Sequence, residues 1–271
     1  MKAVKIVFKV KRLLERARAP KYLHHYGPKK YAFWEHVLAL FIKQECKLSC
    51  RRVVSLLRGL GFNVPSYSAL AKMCKRIPLW IWKILLRVSA NTRKLFCVAI
   101  DSVFFSRTNP SFHYLKRTKS EIPIAKPVQA SALIDTYSQK TISLRVRAKR
   151  VHDTRDVKYL LKHSPLTPTV LVADKAYDSN KIHEYAKKNG IITMIPIRKR
   201  VHKGFYRNYM KKYFDERAYH QRSLVETAFS CVKRRSGGSV YSQKARQQRA
   251  EIYARFITNN MKLVEKREIF N

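Results

Sequence analysis

The chain has 271 residues, enough for one large domain or two modest ones, and 46% of them are hydrophobic, which supports a packed core and excludes global disorder. Lys and Arg number 58 against 17 Asp and Glu, a net charge of +41. Such self-repulsion gives a free globular protein nothing, so a polyanionic partner is expected, nucleic acid first. Neither a membrane span nor a secretory leader is expected: no run of about eighteen apolar residues occurs, and lysines interrupt the apolar residues near Met1. Five cysteines at irregular spacing make no disulfide framework, and Cys46, Cys50 and Cys74 lack the CxxC or His pairs of a zinc site. They read as ordinary thiols of a reducing cytoplasm.

Residues 1–27 form a basic arm whose pattern fits either an alternating strand or a basic helix. Residues 28–93 are expected to form a small all-α, helix-turn-helix-like DNA-binding domain. Trp34, Val37, Leu38, Phe41 and Ile42 recur at helical spacing over 31–43. Ser49 is a candidate N-cap for a helix to about Arg58, broken by Gly59 and Gly61; Ser66 is another for a helix over 67–76. Pro78 opens a last helix containing Trp80, Trp82, Leu85 and Leu86. No acid lies between Cys46 and Ile100, so the helix over 67–76 is the candidate for the major groove. A plain helical bundle with a basic surface is the alternative.

From residue 94 to 264 the period changes. Residues 95–105 are apolar on both faces, as in a central strand. Residues 128–136 and 140–148 read as a hairpin. A helix over 154–163, a buried strand over 169–173, a helix over 179–189 ended by Gly190, and a strand over 191–197 follow. A long helix is expected over 218–235, ended by Gly237-Gly238, and an amphipathic one over 244–263. The order β-β-β-α-β-α-β-α predicts an α/β fold: a mixed five-stranded sheet with helices on both faces, the succession of the RNase H-like fold. Its first and fourth strands are neighbours and parallel.

That pairing gathers carboxylates. Asp101 lies in the first strand and Asp174 at the carboxyl end of the fourth, the sheet edge where open α/β sheets bind ligands. An unpaired carboxylate there is costly to desolvate, so it needs a divalent cation or a basic neighbour. On the long helix Tyr219, Arg222, Glu226 and Lys233, spaced 3, 4 and 7, fall on one stripe beside the apolar residues Val225, Ala228, Phe229 and Val232. Glu226 would then point toward the sheet; an Arg222–Glu226 surface ion pair is the alternative.

These residues carry a resemblance. The Tyr219, Arg222, Glu226 and Lys233 pattern resembles the Tyr-Arg-Glu-Lys signature of the DDE transposases of prokaryotic insertion sequences. Asp174-Lys175-Ala176-Tyr177-Asp178-Ser179 is similar to their block around the second aspartate, and Ile100-Asp101-Ser102 and Val151-His152-Asp153 resemble further blocks. The likeness spans about residues 95–262. It implies Asp101, Asp174 and Glu226 as catalytic and metal-binding residues, with two Mg²⁺ ions (Mn²⁺ as an alternative). Hard carboxylate oxygens suit such ions, and a pair stabilises both attacking and leaving oxygens. It implies that Tyr219, Arg222 and Lys233 hold the phosphates of double-stranded DNA, both the terminal inverted repeats of an element and its target. A homodimer in the DNA complex and a nucleoid-associated, prokaryotic setting are implied as well. The competing functions are a nuclease or resolvase of the same fold, and an inactive or truncated remnant that only binds DNA.

Other residues have quieter expectations. Asp135 reads as a turn former and Asp178 as an N-cap or first-turn residue. His152 and Asp153 would line the rim of the site. Residues 198–217 form a basic insertion interleaved with Phe205, Tyr206, Tyr209, Tyr213 and Phe214, suited to unpaired or distorted DNA or else packed by its own aromatics.

Overall fold

The basic arm, ambiguous in its alternation, is a helix. In the computed structural model, which describes residues 3–24, 26, 29–107, 126–198 and 203–263, α1 spans Ala3–Arg16. Val10, Leu13 and Leu14, at three-and-four spacing, are buried on one side of it. Next come α2 (Phe33–Glu45), α3 (Cys50–Gly59), α4 (Tyr67–Arg76) and α5 (Leu79–Ala90). Ser49 Oγ accepts the Arg52 N–H at 3.2 Å and Ser66 Oγ the Ala69 N–H at 3.3 Å, so both predicted N-caps satisfy an orphan donor.

The sheet is built from β1 (Cys97–Arg107), β2 (Val128–Asp135), β3 (Thr141–Arg147), β4 (Val170–Ala173), β5 (Ile192–Met194) and β6 (Ser239–Val240). Its helices are α6 (Thr154–Lys162), α7 (Asn180–Lys188), α8 (Phe205–Lys211), α9 (Glu216–His220), α10 (Ser223–Ser236) and α11 (Ala245–Leu263). The strand order is β3-β2-β1-β4-β5; β1, β2 and β3 form an antiparallel meander, and β4 and β5 run parallel to β1. The expected five-stranded sheet gains a sixth strand, because β6 pairs in parallel with the far end of β1, Ser106 opposite Ser239 and Arg107 opposite Val240. Gly237, at φ +87°, turns the chain out of α10, and the Gly238 carbonyl accepts the Ser106 N–H at 3.0 Å.

A second correction concerns the long helix expected over 218–235. It is broken into α9 and α10 at Gln221 and Arg222. There Arg222 N–H donates to Tyr219 O and Val225 N–H to Arg222 O, three-residue bonds that tighten the turn.

Two apolar layers flank the sheet. On one face Ile100, Leu133, Leu160 and Ile182 pack beneath α6 and α7. On the other, Ala99, Phe105 and Val172 share one cluster with Phe229 and Phe256, and with Val10, Phe41 and Trp82 of the N-terminal helices. Helix α11 runs through that cluster, and its Arg255, fully buried, ties α11 to α2 and to the turn that leads into β6. Arg255 bonds to Gln44 Oε1, Gly237 O, Ser239 O and Glu251 Oε1 at 2.6–3.2 Å. Among the described residues, no helix is long and apolar enough to cross a membrane.

Candidate active site

The site begins with a register. β1 and β4 run parallel with Ile100 opposite Ala173, and the next residue on each strand is an aspartate. Alternation then decides where they point. Ile100 and Ala173 belong to the cluster under α6 and α7, whereas Ala99 and Val172 belong to the cluster under α10 and α11. Asp101 and Asp174 therefore face α10 side by side. This is the expected meeting of the first and fourth strands.

Asp101 is half-buried, and its Oδ1 accepts the Ser102 N–H at 2.8 Å. Burial pushes its pKa up to about 6; the Ser102 N–H and Arg222 oppose the shift, and the negative charges of Asp153 and Asp174 add to it. Asp174 opens a short 3-10 turn (Lys175–Tyr177) by accepting the Lys175 N–H at 2.6 Å.

That turn is clamped from behind. Arg198 donates to Ala176 O at 2.8 Å and to Lys175 O at 3.3 Å. Asp178 follows the turn, but it is not the cap expected of it; Ser179 takes the N-cap position of α7. Asp178 is buried and accepts from Arg207 Nε at 2.7 Å and from the Arg198 N–H at 3.1 Å, with His183 Nε2 at 3.2 Å. Burial alone would raise its pKa, but Arg207, Arg198 and His183 more than offset this and hold it below the usual carboxylate range. Asp178 thus anchors α8 to the turn that carries Asp174.

Asp153 approaches from the other side. Gln129, fully buried on β2, grips the loop before α6: its Oε1 accepts the Val151 N–H at 2.7 Å, and its Nε2 donates to Val151 O at 3.0 Å and Asp153 Oδ1 at 2.7 Å. The rim expected around His152 and Asp153 thus brings Asp153 into the field of Asp101. Asp135 is the turn former expected, accepting the Tyr137 and Ser138 N–H groups at 3.3 and 3.0 Å.

Arg222 is the charged hub above the aspartates. Burial lowers its pKa, but Glu226, Tyr219, Asp174 and Asp101 together raise it above its ordinary value. Its Nη1 lies 2.8 Å from Glu226 Oε1, and the side chains are 25% and 56% exposed. Glu226 is therefore engaged by Arg222 rather than turned to the aspartates. Among the described residues, no three His, Cys, Asp or Glu side chains converge closely enough to hold a metal ion. Lys233, in the last turn of α10, lies over the Phe105 ring at 5.9 Å, and the Tyr219 ring is 5.7 Å from Phe214. The break between α9 and α10 leaves Tyr219 on a different helix from Glu226 and Lys233.

Asp101 and Asp174 alone, side by side, offer a hard divalent cation two carboxylates, and the expected third ligand, Glu226, does not join them because Arg222 holds it. The aspartate oxygens are the right donors, and their mutual repulsion is what a cation relieves.

A family profile described as the transposase DDE domain matches residues 97–261, more than half of the chain. The chain belongs to that family. Among solved structures, it is similar to a piggyBac transposase in a synaptic complex with hairpin DNA. The TM-score is 0.53 at 11% identity, over 98% of this chain and 73% of that one. At that identity the likeness is one of fold. No curated protein matches the chain. The family's matched range begins at the first residue of β1 and ends within α11, so it takes in both aspartates and α10.

Several residues of the site escaped the sequence. Gln129 and Arg198 look like ordinary strand and loop residues, and only the fold brings them to the loop of Asp153 and the turn of Asp174. In the insertion over 198–217, Lys199 and Arg200 lie outside the described residues. The rest packs partly on itself, with the Tyr209 and Tyr213 ring centroids 5.3 Å apart, and partly on α7, whose Lys187 Nζ lies over the Tyr209 ring at 3.4 Å.

Proposed function

We propose that this chain is a transposase of the prokaryotic insertion-sequence group with a Tyr-Arg-Glu-Lys signature, cutting DNA at an element's ends and joining the 3′ ends to target DNA. The observation that carries the reading is the parallel register of Ile100 with Ala173, which sets Asp101 and Asp174 side by side beneath Arg222. Residues 94–264 act as an RNase H-like catalytic domain, 28–93 as the helical DNA-binding region, 1–27 as a basic arm and 198–217 as an insertion along the DNA. Support for the second assignment is the exposed face of α4, where Tyr67, Ser68, Lys72 and Lys75 stand free of the core, with Arg51 of α3 over the Tyr67 ring at 4.9 Å.

Asp101 and Asp174 would hold Mg²⁺, two ions in all, with Glu226 as the third catalytic carboxylate. Bound there, the ions supply a nucleophile at neutral pH and neutralise charge on the phosphate. Tyr219, Arg222 and Lys233 orient the end phosphates, Arg222 through two parallel N–H groups and Lys233 as a point charge. As Arg222 turns from Glu226 to a phosphate it frees the carboxylate at the moment DNA arrives. Asp174 is kept in place by the Arg198 and Asp178 contacts behind its turn, and Asp153 by Gln129. The working form is a homodimer on two element ends, in the nucleoid of a prokaryotic cytoplasm.

A DNA-binding remnant is the second reading, and the closure of Glu226 on Arg222 favours it. Strand cleavage of a labelled duplex bearing the element's end decides between them. Mg²⁺-dependent cleavage by the wild type, lost in Asp174→Asn while duplex binding persists, is expected; binding without cleavage by the wild type would leave the remnant.

A further inference from the structure

A cleft of about 220 Å³ lies at the opposite edge of the sheet from β5, between α5, the edge strand β3 and α6. Its charge is one-sided. Lys83 and Arg87 come from α5 and Lys162 from α6, and no Asp or Glu lines it. Lys83 Nζ rests over the Tyr159 ring at 5.1 Å, whereas Arg87 and Lys162 make no ion pair among the described residues. Asp156, the buried acid of this region, is already taken by Arg145 at 3.1 Å and Arg147 at 2.8 Å.

The floor carries a second, independent sign. Ser143 is 4% exposed, lines the cleft, and its Oγ has no hydrogen-bond partner. A buried hydroxyl left unpaired costs on the order of 1–3 kcal/mol, which an incoming acceptor would relieve. Ile84 and Ile142 give the cleft an apolar wall, and the His163 ring, stacked on Tyr159 at 4.0 Å, also lines it. The volume is below the few hundred Å³ usual for larger ligands, so the occupant is small.

We propose that this cleft binds one nucleotide unit, its phosphate on Arg87, Lys162 and the Ser143 hydroxyl and its ring against Ile84 and Ile142. The unit comes either from a free mononucleotide or from a single strand laid across the sheet edge; both present the same phosphate beside a ring. The cleft shares no residue with the aspartate site, so it stands or falls independently of the transposase reading.

Isothermal titration of the full chain with a deoxynucleoside monophosphate, inorganic phosphate and a short single-stranded oligonucleotide tests it. The Arg87→Gln, Lys162→Gln pair should weaken nucleotide binding by about a hundredfold, roughly tenfold for each cation removed from the phosphate. Ser143→Ala should weaken it several-fold, with thermal melting unchanged within about 0.5 kcal/mol for the exposed pair. A charge-matched Lys181→Gln, Lys188→Gln variant on α7 should bind as the wild type does. Loss confined to the monophosphate identifies a free nucleotide, and loss confined to the oligonucleotide identifies a strand. Equal loss in the α7 variant, or none in the cleft variants, overturns the proposal, because binding would then be a property of total charge.

Discussion

Arg222 Nη1 sits 2.8 Å from Glu226 Oε1 while the same guanidinium feels the charges of Asp101 and Asp174. One cation therefore serves three carboxylates, two from the sheet and one from the helix that covers it. Whatever displaces Arg222 changes the charge balance of the whole site.

Replacing Arg222 or Lys233 by Gln should leave folding within about 0.5 kcal/mol of wild type, since partly exposed ion pairs contribute little. Strand transfer from pre-cleaved ends at saturating Mg²⁺ should fall by one to two orders of magnitude, matching a charge-assisted hydrogen bond to phosphate of about 1.5–3 kcal/mol. Arg222→Lys should also be impaired, because an ammonium cannot reproduce the fork. Full activity of the Arg222→Gln, Lys233→Gln double variant would reduce the stripe to a surface decoration.

The carboxyl of Asp101 predicts a pH effect of definite sign. Its folded pKa, about 6, lies above the ordinary 3.8, so the folded chain holds a proton that the unfolded chain has released. Asp101 should therefore contribute a loss of stability, on the order of 2–3 kcal/mol, as pH rises from about 4 through about 6 in the metal-free chain, while the lowered pKa values of the buried His36 and His183 contribute in the opposite direction. The difference between wild type and Asp101→Asn isolates the Asp101 contribution, and Mg²⁺ should restore the lost stability only above about pH 6, where the carboxylate is ionised. Urea midpoints across this range check it; superimposable profiles for wild type and variant would refute the placement.

The shared core makes a prediction about cooperativity. All three tryptophans, Trp34, Trp80 and Trp82, lie in the N-terminal helices. Their fluorescence thus reports that region, while far-UV circular dichroism reports the whole chain. Because Trp82 and Phe41 belong to the cluster that includes Phe105 and Phe256, the two signals should unfold at one urea midpoint. Trp82→Ala should shift both together, by about 3–5 kcal/mol. Separate midpoints would mean two independent folding units.

Arg207 offers a test of the support behind Asp174. Arg207→Met leaves Asp178 buried with only His183 and the Arg198 N–H, and should destabilise the chain by about 3–5 kcal/mol. Arg207→Met, Asp178→Leu should recover much of that stability yet still cleave slowly, since the turn carrying Asp174 has lost its anchor. A double variant with wild-type cleavage would show that the anchor serves stability alone.

Local chemistry determined a large part of this protein without help from the fold. Ser49 and Ser66 cap their helices because a side-chain oxygen can reach an N–H three residues on, whatever surrounds it. The apolar run of β1 and the short run of β4 are strands whose parallel pairing follows from the order of elements, and with it the meeting of Asp101 and Asp174. Tertiary structure decided the rest. The basic arm became a helix because Val10, Leu13 and Leu14 found a face to bury against. The long helix broke at Arg222, and the Gly237-Gly238 exit became a sixth strand because Ser106 offered an unpaired N–H there. Asp178 found Arg207 twenty-nine positions away, and Arg255 found Gln44 across 211. Periodicity registers which face of an element is apolar; it carries no information about a buried ion pair whose partners meet only once distant segments have packed.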